Sequence, residues 1–128
     1  MLWRISNHGD LAGLGGEKTH GRWHTAAKGK RIVCLSEHPA LALLEALASL
    51  KGDPKLFPDT YQLIRTSVAD SVSREELLPK ILSDKWREDV HVTRSTGDSW
   101  LARGRSALFA VPSGPSPESL NYLFNPLH

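Results

Sequence analysis

Three apolar runs in this chain are too short to be helices: residues 2–5 (LWRI), 31–35 (RIVCL) and 107–111 (ALFAV). Runs of this length, rich in branched or aromatic side chains and bounded by glycine, lysine or proline, are the pattern of buried strands. Residues 61–68 (YQLIRTSV) form a further strand candidate, and ALFAV reads as the last apolar strand, halted by Pro112. Between the first two runs fall Gly9, Gly13, Gly15, Gly16 and Gly21. That glycine density opposes a helix, so residues 6–21 are predicted to be a loop able to approach a ligand closely.

Helices are predicted between the strands. Ser36 is a candidate N-cap, Pro39 is tolerated in a first turn, and Gly52 supplies a stop, which predicts a helix to about Lys51. Leu43, Leu47 and Leu50 share one face, Leu41, Leu44 and Ala48 adjoin it, and Glu45 is flanked by that apolar surface. Ser73 with Glu76 has capping-box spacing and predicts a helical segment ahead of Trp86. Asp98 reads as the N-cap of a last helical stretch carrying Trp100 and Leu101. Isolated helices between strands, without regular alternation, give an α+β class, and 128 residues suit a single domain.

Several function classes are excluded on simple grounds. Cys34 is the sole cysteine, so there is neither an intrachain disulfide nor a thiolate metal site. The N-terminus has no basic segment leading into a long apolar run, and the longest apolar stretch, residues 39–50, carries Glu45 and is too short to span a bilayer. A cytoplasmic address and no membrane contact are expected on those grounds. A formal charge of +2, with no basic helix interleaved with aromatics, argues against direct nucleic-acid binding.

Chemical motifs are mostly negative. His20 and His24 have the spacing of two metal ligands on a helix, but Gly21 separates them and no glutamate follows His20, so no metal is expected. The glycine segment satisfies neither the Walker nor the dinucleotide fingerprint, and Ser113 lies in VPSGP rather than in a nucleophile elbow. Three polar residues beside strands remain: Arg22 in GRWH, Glu45 in an apolar helix, and Ser113 after a strand. On composition alone they also read as an ion-pair partner, a surface helix residue and a turn residue, and periodicity leaves that open.

Taken in order, these segments resemble the RES domain. The resemblance is carried by Leu2-Trp3-Arg4-Ile5, the loop with Gly13 and Gly15, Gly21-Arg22-Trp23, Val33-Cys34-Leu35-Ser36 and residues 40–45 (ALALLE). It continues through Gly97-Asp98-Ser99-Trp100, Val111-Pro112-Ser113 and residues 121–128 (NYLFNPLH), with residues 52–95 the least diagnostic.

The resemblance implies a fold similar to the ADP-ribosyltransferases, with small mixed sheets flanking an NAD cleft and a few helices. The activity it implies is that of a toxin, paired with an Xre-like helix-turn-helix antitoxin. Such a toxin breaks the nicotinamide–ribose bond of NAD by hydrolysis, phosphorolysis or ADP-ribosylation of a protein. NAD is then a substrate and no metal takes part. Glu45, Arg22 and Ser113 are the implied catalytic residues. Nicotinamide leaves without a general acid because it is cationic in NAD, and Glu45 stabilises the positive charge that develops on the ribose. Arg22 binds the pyrophosphate. Ser113 fixes the nicotinamide ribose or carboxamide, and Trp23 packs nearby. Arg4, Ser36 and Asn121 are further candidates for phosphate, ribose or structural hydrogen bonds, whereas Trp100 reads as core.

The chain departs from the family pattern twice. Cys34 stands where relatives usually carry a site tyrosine, so a stacking face and a hydroxyl are absent there, and a buried strand thiol is expected to be inert. Relatives also typically continue past Asn-Pro-x-His, which implies that residues 1–128 form a RES domain without a C-terminal element. An alternative reading is therefore a catalytically weakened member of the family that chiefly binds its antitoxin or a ligand.

Overall fold

The computed structural model describes residues 1–128, the side chain of Pro79 excepted. Strands β1 (Leu2–Ser6), β2 (Val33–Ser36), β3 (Gln62–Thr66), β4 (Arg74–Glu76), β5 (Leu108–Pro112) and β6 (Leu120–Phe124) form one mixed sheet in the order β3-β1-β2-β6-β5-β4. Only β4 and β5 run parallel. Helices α1 (Leu14–Lys18), α2 (Pro39–Ser49) and α3 (Val90–Arg103) complete the α+β architecture expected from the sequence. Among the described residues, no helix is long and apolar enough to cross a membrane.

The sheet is organised about β5, whose five residues are all buried. Side chains alternate across a strand, so Leu108 faces one side while Phe109 and Val111 face the other. On the first side Leu108 joins Leu2, Val33 and Leu35, with Tyr122 and Phe124 against them. On the second side Phe109, Val111 and Leu123 meet Trp23, Ile32, Leu77 and Trp100. The Trp100 ring lies 5.5 Å from that of Phe109 at 20°, which brings α3 over β5. Further along that face the register Ser36↔Asn121 and Cys34↔Leu123 places polar side chains on β2 and β6. There the sheet forms the floor of a cleft. The β3–β1 pair joins β2 through a single register pair, Trp3↔Ser36.

The structure corrects several local predictions. Ser36 is the last residue of β2, and the cap of α2 is His38, whose Nδ1 accepts from the Ala40 amide at 3.1 Å. The helix ends at Ser49, and the Gly52 amide returns to the Leu47 carbonyl at 2.9 Å. It buries Leu41, Ala42 and Ala46, while Leu43 and Leu44 are 51% and 38% exposed and Leu47 and Leu50 are half-buried, so the face of Leu43, Leu47 and Leu50 is not the one the helix buries. A helix apolar nearly all round does not identify its buried face by periodicity, and small alanines are among the side chains that go in.

The capping-box pattern at Ser73 is instead the approach to β4. The Ser73 carbonyl and hydroxyl accept from the amides of Leu108 and Ala107, and Arg74–Glu76 adds to the open edge of β5. Tertiary pairing overrides a local preference there. β5 includes Pro112 and is followed by β6, so ALFAV is not the last strand. The glycine segment, expected to be a loop, contains the short α1, its N-cap at Gly13.

Helix α3 starts at Val90 rather than after Asp98. Its cap is Asp89, whose Oδ1 accepts from the Val92 amide at 3.3 Å, and Asp98 lies in mid-helix. Gly97 is where this helix meets the backbone of Trp23. A Cβ built on it would lie 1.6 Å from the Trp23 carbonyl oxygen, so α3 seats directly on the backbone of the segment before β2.

Gly→Ala in a helix interior ordinarily gains about 1 kcal/mol. Here the sign reverses: Gly97→Ala is expected to cost about 3 kcal/mol through overpacking. Urea unfolding of the two proteins checks this, and an unchanged or raised midpoint would contradict the packing.

Candidate active site

Residues 21–25 cross from α1 towards β2, and α3 holds them through four of its residues. The Thr93 hydroxyl, fully buried, donates to the Arg22 carbonyl at 2.6 Å. Arg94 Nε donates to the Gly21 carbonyl at 2.8 Å, and the Thr25 amide donates to Asp98 Oδ1 at 2.8 Å. Gly97 supplies the close contact with Trp23. The backbone that carries Arg22 is thus fixed by one helix.

The Arg22 side chain is placed by different residues. Its Nη1 donates to the Arg87 carbonyl at 2.9 Å, and its Cζ lies 5.8 Å from the centre of the Trp86 ring. A Cβ on Gly114 would come within 2.5 Å of Nε and 2.7 Å of Nη2, so only glycine leaves that edge of the guanidinium room. Gly114 follows Ser113 directly, which brings Arg22 beside the second part of the site.

That part centres on the Glu45 carboxylate. Ser113 Oγ donates to Glu45 Oε1 at 2.6 Å, and Asn121 Nδ2 donates to the same oxygen at 2.9 Å. The Ser113 oxygen accepts from the Ser116 amide at 3.1 Å, which directs the hydroxyl proton to the carboxylate. Asn121 Oδ1 accepts from Ser36 Oγ at 2.8 Å, which orients its amide. Ser36, Ser113 and Asn121 are all buried. The other oxygen, Oε2, has no protein donor among the described residues and is not sealed off, so it is open to the cleft.

The cleft has a volume of about 600 Å³, within the range of small-molecule and cofactor sites. Arg4, Arg22, Cys34, Ser36, Glu45 and Asn121 line it. Of the three residues singled out first, Arg22 and Glu45 reach this space, whereas Ser113 is fully buried behind Glu45. Trp23 contributes to the wall but is 4% exposed and packs 5.9 Å from Trp86, chiefly as core. Trp100 is core, as expected, its Nε1 donating to Ser106 Oγ.

Arg4 donates to the Asp10 carbonyl at 3.3 Å and to Ser6 Oγ at 3.1 Å, and burial lowers its pKa from the usual arginine value. Cys34, expected to be buried, is exposed on the side that faces the cleft and enclosed on the others. That enclosure, helped by Glu45 and opposed by Arg4, pushes the thiol up to about 12, so it stays protonated. His20 and His24 bind backbone rather than each other: His20 Nδ1 accepts from the Ala26 amide, and His24 Nε2 donates to the Gly16 carbonyl. Among the described residues, no three His, Cys, Asp or Glu side chains are grouped to hold a metal ion.

Comparison with known proteins adds the family. The RES-domain model matches residues 1–128. The chain belongs to the RES family. This RES domain is 41% identical over 128 residues to Toxin Res of Pseudomonas putida, covering 100% of this chain and 86% of that protein. It is 35% identical over 137 residues to the Prs ADP-ribosylating toxin of a Sphingobium species, covering 99% of this chain and 83% of the relative.

Trp86, Thr93 and Arg94 also support Arg22, from within residues 52–95, the stretch least diagnostic of the resemblance. Gly114 is signalled only by its place next to Ser113.

His24 yields a pH prediction for the RES domain. Burial holds its pKa below the ordinary histidine value, so the unfolded chain takes up the proton first as pH falls. Its contribution to stability is complete above about pH 6.5 and is lost as pH drops through the folded value. Urea unfolding at pH 7.5 and 5.5 is expected to show a larger loss for wild type than for His24→Gln. Equal losses would remove His24 as the cause.

Proposed function

We propose that this chain is the toxin of a toxin–antitoxin pair and cleaves the nicotinamide–ribose bond of NAD. The observation that carries this reading is Glu45, one carboxylate oxygen held by two buried donors and the other open to a cleft that also contains Arg22. The names of the two relatives support a toxin, and that of the second supports ADP-ribose chemistry.

In the proposed reaction the bond between ribose C1′ and the nicotinamide nitrogen breaks, and its electron pair leaves with nicotinamide, which becomes neutral. Positive charge develops on the ribose. Glu45 stabilises it by charge and by accepting a hydrogen bond from a ribose hydroxyl. Ser113 and Asn121 keep the carboxylate in place, so it needs no reorganisation as charge develops. Arg22 takes the pyrophosphate through its Nε–Nη2 edge. The acceptor is water, phosphate or a protein side chain. The antitoxin is of the Xre-like helix-turn-helix kind, DNA contact belongs to it, and the toxin acts in the cytoplasm.

Incubation with NAD followed by product analysis tests the reading and names the acceptor. Nicotinamide release is expected, with Glu45→Gln lowering the rate on the order of a hundredfold to a thousandfold. Wild-type protein that leaves NAD intact with water, phosphate and candidate protein acceptors alike would refute it.

A further inference from the structure

Arg22 is held at its head by a part of the chain in which the sequence shows no motif. Residues 77–89 connect β4 to α3 through two short 3-10 turns, Pro79–Ile81 and Trp86–Glu88. Trp86 is half-buried: with Leu82 it packs against the core cluster that contains Trp23, Leu77 and Trp100. The turn that anchors Trp86 also makes two separate contacts with one guanidinium. The indole lies within cation–π range of Arg22, and the adjacent Arg87 carbonyl accepts from Nη1.

These contacts have a directional consequence. Arginine has five N–H donors in a planar fork, and tying Nη1 at one end fixes rotation within the plane. The indole limits tilt out of it. The edge left over is Nε–Nη2, the edge that faces Gly114 next to Ser113. An arginine free at its head would sample many rotamers and lose that freedom on binding an anion.

We infer that Trp86, together with the Arg87 carbonyl, is a positioning element for Arg22, presenting its Nε–Nη2 edge to the phosphate groups of the ligand. This rests on the NAD-cleaving reading for the identity of the ligand. Trp86 acts through Arg22 and does not itself line the cleft.

The test is a double-mutant cycle on the full chain, read by calorimetric ADP-ribose binding and by KM and kcat for NAD. Trp86→Ala is expected to weaken binding and raise KM about tenfold, with kcat changed little. In an Arg22→Ala background the same substitution is expected to change nothing further. Trp86→Phe keeps an aromatic face and is expected to recover most of the binding, whereas Trp86→Leu, which keeps only apolar bulk, is not. The Phe and Leu pair decides the matter even if the alanine variant fails to fold. Equal binding by the Phe and Leu variants, or the same loss in both backgrounds, would overturn the inference while leaving NAD cleavage by the wild type intact. A wild type that neither binds ADP-ribose nor cleaves NAD would overturn both.

Discussion

The Glu45 carboxylate is tied to the β5–β6 hairpin by two hydrogen bonds, and the rest of the site is arranged around that tie. Ser113 stands just after β5 and Asn121 within β6, and both donate to a helix residue that precedes them by 68 and 76 positions. The pairing Val111↔Asn121 and Pro112↔Leu120, closed by the Ser113 amide on the Ser119 carbonyl, sets the spacing of the two donors. A slip of one residue in that register would turn Asn121 to the other face of the sheet and leave the carboxylate with one donor. Such a slip is strongly unfavourable because it would turn Asn121, stripped of Ser36 and Glu45, into the apolar cluster of Leu2, Val33, Leu35 and Leu108.

A division of labour concerns Arg22. Its backbone is held by α3, through Thr93, Arg94 and Gly97, and its head by the turn before α3, with Gly114 leaving the guanidinium room. The two attachments come from chain segments on either side of Asp89, so the N-terminus of α3 sits between them. The start of the helix at Val90 matters for this reason. A helix beginning at Asp98 would not carry Thr93 and Arg94 on the surface that meets residues 21–25.

Much of this is legible in the sequence where local chemistry decides the outcome. The short apolar runs are β1, β2 and β5, the α+β class follows from them, and the ordered motifs lead to Arg22 and Glu45, which line one cleft. The elements that differ from expectation share a cause. Ser73–Glu76 carries a helix-start pattern, but the open edge of β5 recruits it as a strand. Gly97 and Asp98 together look like a helix start. The reason for glycine at 97, a carbonyl oxygen from another segment, is invisible in one dimension. The buried face of α2 differs because Leu43, Leu47 and Leu50 outweigh two alanines on any hydrophobicity count, while the sheet favours close approach.

The protonated state of Cys34 has a consequence for the cleft as an environment. Only the thiolate is attacked readily by oxidants and alkylating agents, so a thiol held neutral resists both. The floor beside Glu45 therefore presents a neutral sulfhydryl to an incoming ligand, which adds no second negative charge next to the carboxylate.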